Sequence, residues 1–274
     1  MEPSPYKEQL DQMTWSFSRV NAYSTCPRMF KLTYIDHAPK ANSAFGEWGS
    51  LCHSVYEDFA KGNLAEYECG QSYDERWATY MLDDFPPSRG IPLRDKYYDR
   101  GKELFTTFDG FPDHWEIISA EQEVNLQIGD YLFVGYIDLL VRDMRDQKLI
   151  VVDHKSKSKF KNDEEKAHYA LQLYLYAEWV FEHFGEYPKQ LLFNMFRIGE
   201  EVIIDFNQKD HQNALDWFTS TIRQIYQDVE FWDKIELEYE ANQKPMSSYH
   251  NSDYFCRYIC SCRYSCVRSG QIIS

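Results

Sequence analysis

The sequence lacks long apolar runs and is poor in glycine, proline and positive charge. No stretch of the 274 residues approaches the roughly 18 consecutive apolar residues of a membrane-spanning helix, so we expect no membrane association. Twelve Gly and ten Pro in a chain that is 43% hydrophobic exclude collagen-like, low-complexity and wholly disordered classes. Residues 1–13 contain neither a basic region nor an apolar core typical of a signal peptide, so we expect a cytoplasmic protein.

Positive charge is scarce. There are 29 Lys and Arg against 44 Asp and Glu, which gives a formal net charge of −15. This balance disfavours a protein that holds a DNA duplex by bulk attraction. Nucleic-acid binding stays possible, because a local basic stretch or a bound cation can reverse the field locally. One such stretch is KSKSKFK over 155–161, for which a solvated loop is the alternative interpretation.

The seven cysteines are unevenly distributed. An odd number in an expected reducing compartment argues against a disulfide framework, and we interpret Cys52 and Cys69 as structural thiols. The segment CRYICSCRYSC near the C-terminus holds Cys256, Cys260, Cys262 and Cys266. Such crowding indicates ligation of a metal or a metal cluster, and tetrahedral Zn²⁺ on these four residues is one option.

Hydrophobic periodicity predicts helices first, then strands, then an alternation of both. After two short helical pieces within 14–35, helices are predicted over about 46–61, 74–84, 94–108, 163–183 and 208–230. Strands are predicted over 115–127, 131–142 and 148–154, followed by a hairpin over 190–206. This order predicts an α/β (or α+β) core preceded by a helical cap.

The sharpest chemical pattern is GYIDLL followed by LIVVDHKSK. If the strands 131–142 and 148–154 pair around the turn 144–147, Asp138 and Asp153 are directly opposed on one face of the sheet. Lys155 shares that face, and the side chain of His154 points away. Two close carboxylates repel each other, and a hard divalent cation with oxygen ligands is the usual remedy. An ordinary hairpin with solvated charges is the alternative, but both carboxylates follow apolar runs.

Two further features suit this site. His53 lies off the apolar stripe of the helix predicted over 46–61, and Gln172 and Tyr176 are four residues apart on one face of the helix over 163–183. Taken alone, a helical His is more often a surface residue, and the Gln–Tyr pair is more often part of a packed amphipathic helix.

Five ordered motifs resemble the RecB-like branch of the PD-(D/E)XK nuclease superfamily. They are SFSRVNAYSTCPRMFKLTYI, GSLCHSVYEDF, GYIDLL, VVDHKSK and QLYLY, and they cover roughly residues 14–176. The resemblance implies a restriction-endonuclease-like core with a central mixed sheet flanked by helices. It also implies one nuclease domain over 1–274, made of an N-terminal helical region (14–112), a catalytic core (113–235) and a cysteine tail (236–274).

Carried over residue by residue, the resemblance implies a Mg²⁺ or Mn²⁺ site on His53, Asp138 and Asp153, with the main-chain carbonyl of His154 as an extra ligand. Lys155 would position or activate the attacking water. Two residues, Gln172 and Tyr176, would support the site and the DNA backbone, and Glu121 on the preceding strand is a further candidate carboxylate.

The Cys-Pro-Arg sequence at Cys26, together with the cysteine tail, resembles the iron–sulfur subgroup, which includes AddB-type and CRISPR-associated RecB-like exonucleases. The resemblance implies a [4Fe–4S] cluster on Cys26, Cys256, Cys260 and Cys266. The tail departs from the usual C-x2-C-x5-C spacing, which leaves Cys262 as an alternative ligand and Zn²⁺ as the alternative metal.

These implications lead to one functional expectation and one alternative. We expect a metal-dependent DNA exonuclease that acts on single-stranded or free-ended DNA in recombination, repair, phage replication or CRISPR adaptation. Its partners would be DNA and a helicase, a recombinase or a CRISPR integrase. The alternative is a DNA-binding or scaffold subunit of such a complex with little activity of its own.

Overall fold

The computed structural model describes residues 5–88, 90, 92–229, 232 and 254–266. The helices are α1 (Pro5–Asp11), α2 (Phe17–Thr25), α3 (Pro27–Phe30), α4 (Ala44–Ala60), α5 (Glu66–Tyr80), α6 (Leu93–Thr106), α7 (Asp163–Phe184) and α8 (Gln208–Asp228). The strands are β1 (Trp115–Ile128), β2 (Tyr131–Asp143), β3 (Lys148–His154), β4 (Gln190–Met195) and β5 (Glu200–Asp205). Short π-helical turns span Lys31–Ile35 and Phe255–Ile259.

Within the described residues, the five strands form one mixed sheet in the order β1-β2-β3-β4-β5. Strand β3 pairs antiparallel with β2 and parallel with β4, and β4 pairs antiparallel with β5. A parallel neighbour requires a crossover connection, which α7 supplies between β3 and β4. The mixed sheet flanked by helices confirms the predicted fold class.

The strand predictions agree with the structure to within one residue at each end. The turn over 144–147 is confirmed, and the register Leu139↔Val152 is the one that the sequence pattern predicts. Capping residues explain where helix α7 begins and ends. The side chain of Asn162 accepts a hydrogen bond from Glu165 N at its start, and Gly185 adopts the left-handed conformation (φ 73°) at its end.

The helix predicted over 74–84 is wrong at both ends, since α5 begins at Glu66 and ends at Tyr80. The N-cap residue is Ala65, a residue type that caps poorly through its own side chain. The carboxylate of Glu68 instead accepts a hydrogen bond from Ala65 N at 2.8 Å. This half of a capping box gives no Ser, Thr, Asp or Asn signal in the sequence, so the start was missed.

Contacts between Cα atoms divide the chain into two compact units. The terminal unit takes in 1–43, 127–134 and 215–274, and the central unit takes in 44–126 and 135–214. The core of the terminal unit is aromatic. The Trp15 ring stacks on Phe30, and Phe133 meets Phe218 edge to face. The predicted division of a single domain into three parts stays a prediction, and most of its tail, over 236–253 and 267–274, lies outside the described residues.

The core of the central unit has two parts. The first joins α4, α5 and α6, where Nε1 of Trp48 donates a 3.1 Å hydrogen bond to the Tyr73 hydroxyl and Phe105 is fully buried. The second lies on one face of the sheet, where Val152 of β3 and Leu192 of β4 are buried side by side. Both β3 and α4 are therefore held firmly, and they carry the polar residues described next.

Candidate active site

Two carboxylates of the central unit lie where β2 and β3 end their pairing. The last residue pair of the two strands is Leu139 with Val152; Asp138 directly precedes Leu139 on β2, and Asp153 directly follows Val152 on β3. The side chains of Asp138 and Asp153 are only 14% and 5% exposed. Oδ2 of Asp138 accepts a hydrogen bond of 2.7 Å from the main-chain N–H of His154. The predicted antiparallel pairing of β2 with β3 is therefore observed.

The electrostatics of this pair are unfavourable without a counter-charge. Burial and the nearby charge of Asp153 raise the pKa of Asp138 to about 8, although Lys155 and the His154 N–H act in the opposite direction. Oδ2 of Asp153 is buried without a well-directed hydrogen bond. A buried carboxylate such as Asp138 is stabilised by a proton or by a bound cation.

Helix α4 brings His53 to the same place. Its Nδ1 lies 3.5 Å from Oδ2 of Asp138, and its Nε2 lies 2.7 Å from the main-chain oxygen of His154. Burial lowers the pKa of His53, which favours the neutral imidazole that binds metals. Ligands at right angles around a cation with bonds of about 2.0–2.1 Å are separated by about 3 Å, so the spacing of Nδ1 and Oδ2 of Asp138 is close to that of two ligands of one ion. Nε2, on the other side of the ring, is hydrogen-bonded to the His154 carbonyl.

Glu121 of β1 completes a compact donor group. One ligand atom from each of His53, Glu121 and Asp138 lies within 4.8 Å of the other two, and no other such trio occurs among the described residues. Burial and the charge of Asp138 raise the pKa of Glu121 to about 7. Glu121 also has a positive φ of 50°, a conformation that non-glycine residues rarely adopt and that is more frequent at functional sites.

Asp153 is held differently from these three groups. Both of its oxygens contact Lys155 Nζ, at 2.9 and 2.8 Å. The ammonium also donates to Oε1 of Gln172 at 3.3 Å, and Nε2 of Gln172 donates to the Tyr176 hydroxyl at 2.8 Å. Burial opposes the charge on Lys155, but Asp153 and Asp138 outweigh it and raise the pKa. Lys155 is therefore an ammonium group at neutral pH.

The side chain of His154 points away from the carboxylates, as its strand position predicts. Its ring stacks on Tyr56 with centroids 4.5 Å apart, and its Nδ1 lies 3.0 Å from Nδ2 of Asn194. Only the main chain of His154 reaches the candidate site. Asn194 was missed by the sequence analysis, although its main-chain oxygen accepts from Lys155 N at 2.8 Å and so fixes the end of β3. Its only signal is its position in the parallel register with β3.

The lysines after β3 have different environments. Nζ of Lys157 pairs with Glu165 at 2.9 Å and lies 5.2 Å from the Tyr169 ring centroid. Lys159 and Lys161 are exposed. Part of the predicted basic stretch is therefore neutralised internally.

The predicted cluster cysteines lie together in the terminal unit. Cys26 interacts electrostatically with Cys256, Cys260 and Cys266. Cys262 is buried, with its Sγ 3.0 Å from the Thr33 hydroxyl oxygen. Donation from the thiol of Cys260 and from Thr33 lowers the pKa of Cys262 to about 6, while burial opposes this.

The spacing of these thiols bears on the choice of metal. Four thiolates on one zinc ion, with bonds of about 2.3 Å, would lie about 3.8 Å apart. Among the described residues, no three Sγ atoms lie within 4.8 Å of one another. These thiols therefore do not form a preassembled tetrahedral zinc site.

A comparison with models of protein families shows the family of this chain. The sequence model of the PD-(D/E)XK nuclease superfamily matches residues 14–267, so the chain belongs to this superfamily. Membership implies a nuclease, typically one that depends on divalent metals. Curated proteins give no significant match. In the described part of the chain, no helix is both long and apolar enough to span a membrane.

Proposed function

We propose that this nuclease is a Mg²⁺- or Mn²⁺-dependent deoxyribonuclease, an exonuclease that acts on single-stranded or free-ended DNA. The observation that carries the proposal is the pairing of the buried carboxylates Asp138 and Asp153 with His53 on one side and Lys155 on the other. Nuclease membership alone would leave the metal and the reacting groups open.

The donor set suits a divalent cation. We assign His53, Asp138 and the His154 carbonyl as ligands, as the resemblance implies, with Asp153 completing the site once it is released from Lys155. Glu121 joins them because of its distance to His53 and Asp138. Carboxylate and carbonyl oxygens favour Mg²⁺ or Mn²⁺, and the imidazole shifts the preference toward Mn²⁺. When bound, the cation would polarise the scissile phosphate and neutralise the charge that develops on it.

Lys155 is the side chain that we place next to the attacking water. Its ammonium would hold a water in line with the scissile bond and stabilise the developing negative charge. The water oxygen forms a new bond to phosphorus and gives up a proton to the solvent. The bond from phosphorus to the leaving sugar oxygen breaks, and that oxygen takes up a proton from the solvent. Because its pKa is raised, Lys155 acts as a charged donor and not as a base. Gln172 is a positioning residue for Lys155, and Tyr176 positions Gln172.

We further propose a [4Fe–4S] cluster on Cys26, Cys256, Cys260 and Cys266. The electrostatic interactions of Cys26 with the other three support this set, and Cys262, which contacts Cys260 and Thr33, stays the alternative ligand. Thiolate ligands need a reducing environment, which agrees with the expected cytoplasmic location. The cluster would join the two ends of the chain in the terminal unit, so its role would be stability and not bond cleavage.

The partner classes follow from the substrate. A free DNA end is produced or consumed by helicases, recombinases or CRISPR integrases, and one of these would work beside the enzyme in recombination, repair, phage replication or CRISPR adaptation. The net charge of −15 supports a substrate that a partner protein delivers, because the free protein attracts DNA poorly over long distances.

End-labelled DNA provides the test. Linear single-stranded, linear double-stranded and circular single-stranded DNA are incubated with Mn²⁺ and with wild type or Asp153→Ala. We expect progressive shortening of linear single strands, no cleavage of circles, and a loss of at least about 100-fold in Asp153→Ala. Cleavage of circles would make the enzyme an endonuclease. A folded Asp153→Ala protein with wild-type activity would refute the site.

A further inference from the structure

We propose that Tyr136 is a stacking platform for an unpaired base of the substrate, next to the scissile phosphate. This inference rests on the proposed function, since it places the substrate strand over the Asp138 carboxylate. It adds a residue that distinguishes unpaired from paired DNA.

The position of Tyr136 follows from strand geometry. Tyr136 and Asp138 are two residues apart on β2, so their side chains project from the same face of the sheet, about 7 Å apart along the strand. Ile137 between them points the other way and is fully buried. A strand of DNA whose phosphate lies at Asp138 therefore passes beside the Tyr136 ring.

The ring of Tyr136 is available, whereas other aromatic rings near the candidate site are not. Tyr136 is 50% exposed, while Tyr176 is 4% exposed and Phe193 is fully buried. The Tyr169 ring faces the ammonium group of Lys157 at 5.2 Å. In the described part of the chain, no ring or cation packs on Tyr136. A half-exposed ring outside the buried core contributes little to stability.

The backbone of Tyr136 is nevertheless fixed relative to the reacting groups. Its main chain hydrogen-bonds the Tyr176 hydroxyl, which also accepts from Gln172, and Gln172 in turn accepts from Lys155. An exposed ring on a fixed backbone is a rigid platform that loses little conformational freedom when a base stacks on it.

The charge of the protein explains why stacking matters here. The net charge of −15 repels the phosphates of DNA over long distances. Stacking on an aromatic ring is independent of charge and tolerates any base. It requires a free face of the base, which a single strand offers and the interior of a duplex does not. The geometry therefore points to unpaired nucleotides as the substrate.

The test compares Tyr136→Ala, Tyr136→Trp and a control, Tyr67→Ala, which removes an 85% exposed ring from α5. Binding of a fluorescent single-stranded oligonucleotide is measured with Ca²⁺ in place of Mn²⁺, with cleavage in Mn²⁺ measured in parallel. We expect Tyr136→Ala to weaken binding by about 5- to 150-fold and to raise KM more than it lowers kcat. The salt dependence should be unchanged, because no charge is removed. Tyr136→Trp and Tyr67→Ala should bind like wild type.

An oligonucleotide with one abasic position, moved along the strand, supplies the second readout. Wild type should lose affinity at one position, and Tyr136→Ala should lose nothing further there. Equal affinity of wild type and folded Tyr136→Ala would overturn the stacking role while leaving the nuclease proposal intact. Failure of wild type to bind or cleave any DNA would overturn the proposed function itself.

Discussion

The main-chain N–H of His154 donates a 2.7 Å hydrogen bond to Oδ2 of Asp138, across the two strands that carry the candidate site. The same residue's carbonyl oxygen lies 2.7 Å from Nε2 of His53. One peptide segment of β3 thus contacts a carboxylate from β2 and an imidazole from α4. Small displacements of β3 would disturb both contacts, so the site depends on the rigidity of the sheet.

Asp138→Asn should remove cation binding without unfolding the protein. The variant keeps an oxygen acceptor for the His154 N–H but removes a charge that burial and Asp153 disfavour. Thermal unfolding with and without Mn²⁺ measures this. At a concentration about 100 times Kd, Mn²⁺ should stabilise wild type by about 2.7 kcal/mol and leave the variant unchanged. Asp205→Asn, on the edge strand β5, should respond like wild type. An undiminished Mn²⁺ shift in Asp138→Asn would contradict the assignment.

Cys26→Ala should bleach the protein. Wild type purified without oxygen should be brown and contain iron, and the variant should be colourless and less stable to heat. Cys69→Ala is the matched control, because Cys69 is buried in the central unit and should affect stability only. Colourless wild type with stoichiometric zinc, insensitive to Cys26→Ala, would instead support a zinc site on the tail cysteines.

Lys159→Glu should weaken the binding of single-stranded DNA and lower the slope of log K against log salt by about 0.7 per lost phosphate contact. Lys159 is exposed and has no ion-pair partner among the described residues. Lys157 is a poorer probe, because its substitution would also break the pair with Glu165. Lys209→Glu, an equal change of charge on α8, is the control. The same affinity and slope in Lys159→Glu and wild type would indicate a solvated loop.

Asp143→Asn should destabilise the protein at pH 7 and have less effect in acid. Asp143 is buried at the end of β2, where hydrogen bonds from Arg145 and Lys189 hold its pKa well below the ordinary range. A lowered pKa in the folded state stabilises the protein above the unfolded value of about 3.9, and this stabilisation is lost as the pH falls below it. The difference in denaturant unfolding between wild type and variant should therefore begin to shrink below about pH 5 and continue to shrink down to at least about pH 2. A pH-independent difference would show that the charge of Asp143 is irrelevant.

Gly101→Ala should destabilise the α5–α6 packing by about 1–3 kcal/mol. A methyl group at Gly101 would overlap the Tyr73 ring, which is fully buried and hydrogen-bonded to Trp48. Gly46→Ala on α4 is the matched control, since no atom lies within 4 Å of its added methyl group. That change should be neutral or stabilising by up to about 1 kcal/mol in urea unfolding. Equal stability of the two variants would show that Tyr73 moves away freely.

The sequence alone determined the local features of this protein. Alternating apolar residues and a four-residue turn specify β2, β3 and their register, so the opposition of Asp138 and Asp153 was predictable. Asn162 and Gly185 mark the ends of α7 for the same reason, because capping involves residues only a few positions apart. The start of α5 was missed because its cap uses a carboxylate one turn inside the helix.

Only the tertiary structure decided which distant groups meet. His53 reaches the carbonyl of His154 across 101 residues of sequence, and Glu121 approaches them only through an unusual backbone conformation in β1. The motif order suggested both residues, but no periodicity gives a distance between elements. The ion pairs between Asp153 and Lys155 and between Lys157 and Glu165 likewise depend on how α7 packs on the sheet. Such packing reflects the shapes of many buried side chains at once, whereas a sequence pattern reports only the face on which each residue lies.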